Sequence, residues 1–376
     1  MSFLSRLFRK KKEPVRFLQA IQVEVSSACN AGCTFCPTTQ QKDPEAPSFM
    51  PMDLFQKLVP YFTWPRWVYL QGWGEPFLHP HLWQMIELAK QQGASVGLTT
   101  NGTLLNPENV HALFQHGVNL VSISLAGATP ATHNKVRAGT DLEQIWSGIE
   151  QIAKEKKNRK SKEPAIKISY MLTKDTVAEL PQAVQRAHAL GVNEFYCTNL
   201  DYVFDEQADR SKLFVYEGEP DPAYEEYLGA ARRWAHEKNF IFDHYPLKTK
   251  EQLAFCEQNP VQYIYVTSGG EVTCCPYLAR KHNPRYHNGS LTEIPRKSFG
   301  NIQQQTLEEI WLSEAYSNFR SIFATRTAAY QELMEVWGDS EPSLIVFQDA
   351  EEKYLSTLKA TPLPPECDTC HKIYGF

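Results

Sequence analysis

The chain has 376 residues, enough for one large α/β domain and a smaller second domain. Hydrophobic residues make up 42% of the chain and charged residues 22%, so a large core can form and global disorder is excluded. The formal net charge of -5 provides no excess of Lys and Arg, which argues against nucleic acid as the main partner.

Residues 1–16 are predicted to form a basic N-terminal tail. The first twelve residues combine Lys and Arg with Phe3, Leu4, Leu7 and Phe8, which is compatible with a solvated terminus or with weak contact to an acidic membrane surface. No apolar run of signal-peptide length follows, and no stretch approaches the ~20 residues of a membrane-spanning helix. We therefore expect no integral membrane segment. Because nine cysteines without a secretion signal favour metal-bound thiolates over disulfides, we also expect a cytoplasmic location.

Residues 17–245 alternate short apolar runs with longer amphipathic runs, which is the pattern of βα units. The predicted strands are Ile21–Ser26, Trp67–Gln71, Ser95–Thr100, Leu120–Leu125, Ile166–Leu172 and Glu194–Thr198. The predicted helices are Met52–Val59, His81–Gln92, Pro107–His116, Asp141–Lys154, Glu179–Leu190 and Tyr224–Lys238. Six units are too few for an eight-stranded barrel. We therefore predict an α/β fold built on a partial (β/α)6 TIM-like barrel, with functional groups at the carboxyl ends of the strands.

Three cysteines, Cys29, Cys33 and Cys36, follow the first predicted strand within eight residues. Three thiolates can bind three irons of a [4Fe-4S] cluster and leave the fourth iron without a protein ligand, which is the open position that a catalytic metal needs. A structural zinc site completed by a distant fourth ligand is the alternative that the spacing leaves open.

The spacing of these thiols, with Phe35 before the last one, resembles the signature of the radical S-adenosylmethionine (SAM) superfamily. This resemblance implies that the open iron binds the amine and carboxylate of SAM. It also implies that Phe35 packs near the adenine.

A second segment, QGWGEP at residues 71–76, resembles the Gly-Gly-Glu-Pro loop of that superfamily, whose backbone meets the SAM amino group. The resemblance implies that Gly74 and Glu75 lie at the cofactor. Trp73 stands where the first glycine is usual. Glycine in such a loop permits close approach of the backbone to a ligand.

Two further strand ends resemble superfamily motifs in the expected order. The sequence TTNG around Asn101 resembles the third-strand motif, and SISLAG around Ser124 resembles the fourth-strand motif. The resemblance implies that Asn101 and Ser124 bind SAM and that Arg137, further along the chain, meets its carboxylate. Ala126 replaces a common aspartate. Each short motif alone is typical of a turn.

Residues 246–376 are predicted to form a smaller C-terminal α+β domain. The predicted strands Tyr263–Thr267 and Glu271–Cys275 flank a Ser-Gly-Gly turn and indicate a β-hairpin. Helical regions are predicted around Thr306–Phe323 and Ala328–Trp337. The five basic residues after the hairpin are interpreted as a solvated loop, with binding of a substrate anion as the alternative; they are Arg280, Lys281, His282, Arg285 and His287.

Four cysteines of this region, Cys256, Cys274, Cys367 and Cys370, can saturate a metal centre. The hairpin would return Cys274 to the side of Cys256, and the C-x2-C pair offers two ligands from one turn. Structural zinc suits four cysteines equally well. Cys275 should point to the opposite side of a regular strand, so we do not expect it to be a ligand of the same centre.

This arrangement resembles Twitch, the truncated single-cluster relative of the SPASM domain that follows radical SAM barrels. The Gly-Asn-Ile sequence at residues 300–302 and the segment Leu307–Trp311 also resemble SPASM proteins. The resemblance implies one auxiliary [4Fe-4S] cluster in addition to the catalytic cluster.

The combined resemblance implies that a one-electron donor such as flavodoxin or ferredoxin supports cleavage of SAM to methionine and a 5′-deoxyadenosyl radical, which abstracts hydrogen from a substrate. We expect a small-molecule oxidation or rearrangement assisted by the auxiliary cluster. A peptide- or protein-modifying maturase and a non-enzymatic iron–sulfur or zinc protein are the alternatives. Only 28 residues precede Cys29, which favours a small molecule over a peptide. The sequence assigns no catalytic base.

Overall fold

The computed structural model describes residues 16–40, 48–200, 202–248, 251–338 and 344–376. The predicted basic tail, apart from Arg16, lies outside these residues. The described strands are β1 (Leu18–Val23), β2 (Gly32–Cys33), β3 (Pro65–Leu70), β4 (Ser95–Thr100), β5 (Leu120–Leu125), β6 (Arg137–Ala138), β7 (Ala165–Leu172), β8 (Glu194–Asn199), β9 (Ile241–His244), β10 (Tyr263–Val266), β11 (Glu271–Thr273), β12 (Pro284–His287), β13 (Ser290–Glu293) and β14 (Gly300–Asn301).

The described α-helices are α1 (Pro37–Gln40), α2 (Met52–Leu58), α3 (Leu82–Gln91), α4 (Pro107–Gln115), α5 (Pro130–Val136), α6 (Leu142–Arg159), α7 (Leu180–Ala189), α8 (Glu206–Ser211), α9 (Pro222–Glu237), α10 (Leu307–Leu312), α11 (Glu314–Gly338), α12 (Leu344–Ala360) and α13 (Pro365–Asp368). Among the described residues, no helix is both long enough and apolar enough to span a membrane.

A parallel sheet forms the centre of the molecule, with neighbouring strands in the order β1, β3, β4, β5, β7, β8 and β9. The six predicted strands are confirmed, with shifts of a few residues at their ends. β9 adds a strand at the edge that the sequence analysis did not predict. Its four residues, which include Asp243 and His244, are half-buried or exposed and give no apolar signal.

Helix α6 illustrates how the sequence builds the outer layer of the barrel. The carboxylate of Asp141 accepts hydrogen bonds from the backbone N–H groups of Glu143 and Gln144, which caps the first turn. Such a cap contributes about 1 kcal/mol. Ile145 and Ile149, one turn apart, are fully buried. This spacing turns one apolar face of the helix toward the sheet.

The predicted β-hairpin joins the same sheet from its other side. β10 pairs in parallel with β1, with Ile264 opposite Ile21, and β11 and β14 continue the sheet in antiparallel pairing. Gly270 has a φ of 86°, which suits glycine at this tight turn. The sheet therefore continues across the domain boundary expected near residue 246, and that boundary stays a prediction.

The helical regions predicted around Thr306–Phe323 and Ala328–Trp337 are divided differently in the structure, because α10 ends at Leu312 and α11 runs without a break from Glu314 to Gly338. The chain from Phe323 to Ala328 contains neither glycine nor proline, so no residue there ends the helix. α12 packs against α11, and the sequence analysis did not predict it.

Candidate active site and auxiliary thiol site

The loop that carries the first three thiols leaves β1 and is fixed by a two-residue strand. Cys33, in β2, lies opposite Arg137, in β6. The hydroxyl of Thr39 and the side-chain amide of Gln40 donate to the carbonyl oxygen of Cys33 at 2.8 and 3.0 Å. Cys33 is buried, and Cys29 and Cys36 are half-buried. The structure thus holds the three thiols in one short, tightly hydrogen-bonded loop.

The loop after β3 packs directly against this cysteine loop. The backbone N–H of Gly74 donates to the carbonyl oxygen of Ser26 at 3.2 Å, and that of Glu75 donates to the carbonyl oxygen of Ala28 at 2.8 Å. A Cβ atom on Gly74 would lie only 2.4 Å from the carbonyl oxygen of Ala28. The close approach that glycine permits here is therefore to the backbone of the cysteine loop. A contact of Gly74 with SAM stays a prediction.

The Glu75 carboxylate joins the ends of β3 and β4 beneath the cysteine loop. It accepts hydrogen bonds from the Thr100 hydroxyl at 2.8 Å, from the Asn101 backbone N–H at 2.7 Å and from the Phe77 backbone N–H at 3.1 Å. Burial raises the pKa of Glu75 to about 7. The carboxylate thus connects the loop after β3 to the end of β4 by hydrogen bonds. Its contact with SAM stays a prediction.

The side chain of Asn101 reaches the first thiol. Its Nδ2 lies 3.8 Å from the Cys29 Sγ and donates to the Asn30 Oδ1 at 2.8 Å. The Asn30 amide in turn donates to the Thr103 hydroxyl at 2.8 Å. An amide N–H directed at a thiolate stabilises its charge and orients it. The predicted third-strand motif therefore lies beside the cysteine loop.

Phe35 and Arg137 lie on one side of the cysteine loop. The Arg137 guanidinium carbon is 5.6 Å from the centroid of the Phe35 ring. Arg137 is buried, and its Nε has no hydrogen-bond partner among the described residues. Ser124 is half-buried in β5, opposite Ser169. A buried cation with an unused donor suits an anionic ligand group.

His133, which the sequence analysis did not single out, lies next to this region. It is fully buried, and its Nδ1 lies 3.3 Å from the backbone nitrogen of Ala126, at the end of the fourth-strand motif. Burial, aided by the neighbouring Arg137 charge, lowers the pKa of His133 to about 3. Its Nε2 has no partner within the described part of the chain. Nothing in the local sequence signals this position.

A cavity of about 130 Å³ opens beside Phe35. Its lining includes Phe35 and Val136, and also Leu200, Phe204 and Asp205. The cavity therefore lies between the cysteine loop and the segment that follows β8. Its lining combines aromatic, aliphatic and acidic side chains.

Trp73, which departs from the superfamily pattern, links the two halves of the chain. Its indole N–H donates to the carbonyl oxygen of Pro276 at 3.0 Å. The ring centroid lies 6.0 Å from that of Tyr277 and 5.5 Å from that of Tyr202. The Arg280 guanidinium carbon lies 5.4 Å from the same ring. The tryptophan thus joins the loop after β3 to the segment that carries the second group of cysteines.

The second group of thiols surrounds one cavity in the C-terminal region. Its described lining contains the four predicted ligands together with the adjacent cysteine; these thiols belong to Cys256, Cys274, Cys275, Cys367 and Cys370. They come from three segments: the loop before β10, the end of β11 and the C-terminal turn. Burial raises the pKa of the Cys256, Cys274 and Cys367 thiols.

The orientation expected for Cys275 is wrong. β11 ends at Thr273, so Cys274 and Cys275 lie in a bend beyond it, where the alternation of a strand does not apply. Both side chains are buried and line the same cavity.

The interpretation of the basic segment as a solvated loop is also wrong for two of its residues. Arg280 and Arg285 are only 5% and 4% exposed. Arg285 lines the second thiol cavity, donates to the carbonyl oxygen of Glu366 at 2.9 Å, and is joined there by the buried Lys372. Two cations beside several thiols offset the negative charge that thiolates would bring into the protein interior.

The donor sets of both sites fit iron–sulfur clusters. Thiolates are the usual ligands of [4Fe-4S] clusters, and four cysteines suit zinc as well. The first loop supplies three thiols, and the second cavity supplies enough to saturate a cubane.

Two family models match parts of the chain. Residues 23–187 match the radical SAM superfamily, and residues 256–334 match SPASM, an iron–sulfur cluster-binding domain. The chain is 30% identical over 319 residues to the tungsten-containing aldehyde ferredoxin oxidoreductase cofactor-modifying protein of Pyrococcus furiosus, covering 83% of this chain and 85% of that protein. It is 26% identical over 174 residues to the AdoMet-dependent heme synthase of Methanosarcina barkeri, covering 46% and 48%.

Solved structures share the fold. Streptococcus suis SuiB bound to S-adenosylmethionine superposes with a TM-score of 0.58 at 14% identity, covering 81% of this chain and 68% of that one. Native anSMEcpe with bound AdoMet and the Cp18Cys peptide superposes with a TM-score of 0.56 at 16% identity, covering 91% and 97%. These likenesses confirm the predicted α/β fold, with a partial TIM-like barrel followed by a SPASM-like region.

Proposed function

Because this chain belongs to the radical SAM superfamily and carries a SPASM domain, we propose that it cleaves SAM reductively at a [4Fe-4S] cluster held by Cys29, Cys33 and Cys36. The observation that carries the proposal is the fixed loop of three thiols beside a buried, incompletely paired arginine. When bound, the cluster supplies the electron for cleavage of SAM to methionine and a 5′-deoxyadenosyl radical.

The described side chains around the loop would orient SAM. Phe35 offers an aromatic face to the adenine, and the buried Arg137, whose Nε–H has no partner among the described residues, offers a donor to the SAM carboxylate. Ser124, at the end of β5, adds a hydroxyl donor. Asn101 acts on the Cys29 thiolate by its amide. The backbone of Gly74 and Glu75 holds the cysteine loop in position.

We further propose an auxiliary [4Fe-4S] cluster on Cys256, Cys274, Cys367 and Cys370, within a C-terminal unit of residues 246–376 that follows a core of residues 17–245. The buried Arg285 and Lys372 support this assignment by their positive charge. A one-electron donor such as flavodoxin or ferredoxin would reduce the cluster on Cys29, Cys33 and Cys36, and the auxiliary cluster would accept the remaining electron or relay electrons. The cytoplasmic location stays a prediction.

The proposed substrate is a small molecule, and the proposed reaction is the oxidation or rearrangement of a cofactor or its precursor. The relative from Pyrococcus furiosus, named as a cofactor-modifying protein, supports this choice because the match spans most of both chains. The heme synthase match, over about half of each chain, points in the same direction.

A peptide-modifying function is the second candidate. It is favoured by the fold likeness to SuiB, whose structure with the precursor peptide SuiA gives a TM-score of 0.59 at 14% identity. A likeness at this identity concerns the fold, so the substrate must be decided by experiment.

The test is anaerobic purification, followed by iron and sulfide analysis and an assay for 5′-deoxyadenosine after reduction with dithionite in the presence of SAM. About eight irons per chain and formation of 5′-deoxyadenosine are expected, since two cubanes hold four irons each. Intact SAM after reduction of a fully loaded chain, or zinc in place of iron on the first three thiols, would overturn the proposal.

A further inference from the structure

The second thiol cavity contains more cysteines than a cubane can use. In the described part of the chain, five thiols line this cavity, whereas a [4Fe-4S] cluster has four corners for protein ligands. The spacing assigns corners to Cys256, Cys274, Cys367 and Cys370. Cys275 is therefore a surplus thiol that faces the same space.

Cys274 and Cys275 are both buried, and both line the cavity. Both lie in the bend after Thr273, and they are 1% and 9% exposed. Their side chains are within hydrogen-bond distance of each other. Because the two sulfurs are adjacent in the chain and in space, a small rotation of either side chain would present it to the same corner of a cluster.

The surroundings of Cys275 resemble those of Cys256, one of the assigned ligands. The backbone N–H groups of Tyr277 and Leu278 donate to its sulfur. Cys256 receives such a bond from the backbone of Gln258. Backbone N–H donors to sulfur are a usual feature of iron–sulfur ligands, where they stabilise the thiolate charge.

We propose that Cys275 is an alternative ligand of the auxiliary cluster and that it exchanges with Cys274 at one iron. This inference rests on the proposed function, since it requires the auxiliary cluster. In the exchange, the bond from iron to the Cys274 sulfur breaks as the bond to the Cys275 sulfur forms. One proton passes from the Cys275 thiol to the released Cys274 thiolate, and no electron is transferred.

The fixed charges of the cavity are compatible with either ligand. One thiolate replaces another, so the net charge facing Arg285 and Lys372 does not change. The remaining three ligands come from separate segments and need not move. The exchange thus allows either thiolate to leave the iron without loss of the cluster.

The experiment uses full-length chains in which Cys29, Cys33 and Cys36 are all replaced by alanine, so that the auxiliary cluster is the iron that remains. In this background we expect about four irons per chain. Adding either Cys274→Ala or Cys275→Ala should leave that iron content unchanged. The chain with both substitutions should fall to background iron. Mössbauer spectra of Cys274→Ala should show four thiolate-bound iron sites, and its reduced EPR signal should shift relative to that of Cys275→Ala.

Loss of the cluster in Cys274→Ala overturns the inference. It is equally overturned if that variant shows one iron without a thiolate ligand, because three thiols would then hold the cluster without Cys275. Mössbauer spectroscopy keeps this test valid even where the double variant does not fold. If the background chain itself binds no iron, the auxiliary cluster of the proposed function fails, which is a distinct result from failure of the exchange.

Discussion

The two thiol sites are built in opposite ways. The first takes its three cysteines from one loop of eight residues, and the loop is closed by hydrogen bonds to the carbonyl of Cys33. The second gathers its cysteines from three distant segments around a cavity in the core. Short spacing limits the entropy lost on closing the first site, whereas the second can form only after the sheet and the C-terminal turn have assembled. We therefore expect the first cluster to depend on local sequence and the second to depend on folding.

Replacing a thiol of the first site should give the largest effect. Cys33→Ala should lower formation of 5′-deoxyadenosine by at least about 100-fold, because a ligand of the catalytic cluster is lost. Iron should fall from about eight to about four per chain. The measurement combines product formation after reduction with iron analysis, and Cys197→Ala, at a buried thiol outside both sites, is the matched control. Equal loss of iron from both sites in Cys33→Ala would contradict the independence of the two sites.

Removing the second cluster should destabilise the fold more than removing the first. In the chain that lacks Cys29, Cys33 and Cys36, chelation of the remaining iron should cost at least ~3 kcal/mol, since binding and folding are coupled there. At roughly 2.1 cal/mol/K of unfolding entropy per residue, that corresponds to a fall of about 4 °C or more in the Tm of this 376-residue chain. Anaerobic thermal unfolding followed by circular dichroism measures it. An unchanged Tm would show that the core holds the second site without metal.

A substitution at the contact between the loops should weaken the first site without touching a cysteine. Gly74→Ala places a Cβ within 2.4 Å of the Ala28 carbonyl oxygen, so the two loops must separate. We expect a loss of about 1–3 kcal/mol in the free energy of unfolding, typical of overpacking, together with reduced iron in the first site. Gly229→Ala, in α9, faces only the flexible end of Arg233 and should stabilise the chain by about 0.5–1 kcal/mol. Equal stability of the two variants would argue against the tight packing of the loops.

The link between the two sites should contribute the smallest effect. Trp73→Phe removes the indole hydrogen bond to the Pro276 carbonyl but keeps an aromatic ring beside Tyr277. The expected loss is about 0.5–1.5 kcal/mol, the net value of one hydrogen bond. Urea unfolding measures the change, and Trp67→Phe, on the strand that precedes the loop, serves as the comparison. If Trp73→Phe lowers the free energy of unfolding no more than Trp67→Phe does, the hydrogen bond to Pro276 contributes no stability to the contact between the two sites.

Periodicity predicted the parallel barrel because each βα unit carries its own apolar pattern, as β7 does with its alternating buried residues. It failed for β9 and α12. β9 is short and polar, and α12 buries no residue, so neither carries a buried face that a pattern could reveal. The break expected within α11 was wrong because the chain there contains no residue that ends a helix.

For the candidate site, the sequence indicated which residues to examine but not what they touch. Asn101 was predicted from a strand-end motif, yet its contact with the Cys29 sulfur depends on how the two loops fold together. The close approach expected at Gly74 is to protein backbone. His133 carried no signal, because an isolated histidine on a helix becomes informative only through its burial.

The sequence by itself determined the first site, since the spacing of Cys29, Cys33 and Cys36 is a local property that survives any arrangement of the rest of the chain. It also determined which six segments form parallel strands of the barrel, because each pattern lies within one segment. Only the tertiary structure decided that Cys275 faces the second cavity and that Trp73 joins the two halves. Such contacts join residues far apart in the chain, and their formation depends on packing and on where a strand ends, which no local pattern encodes.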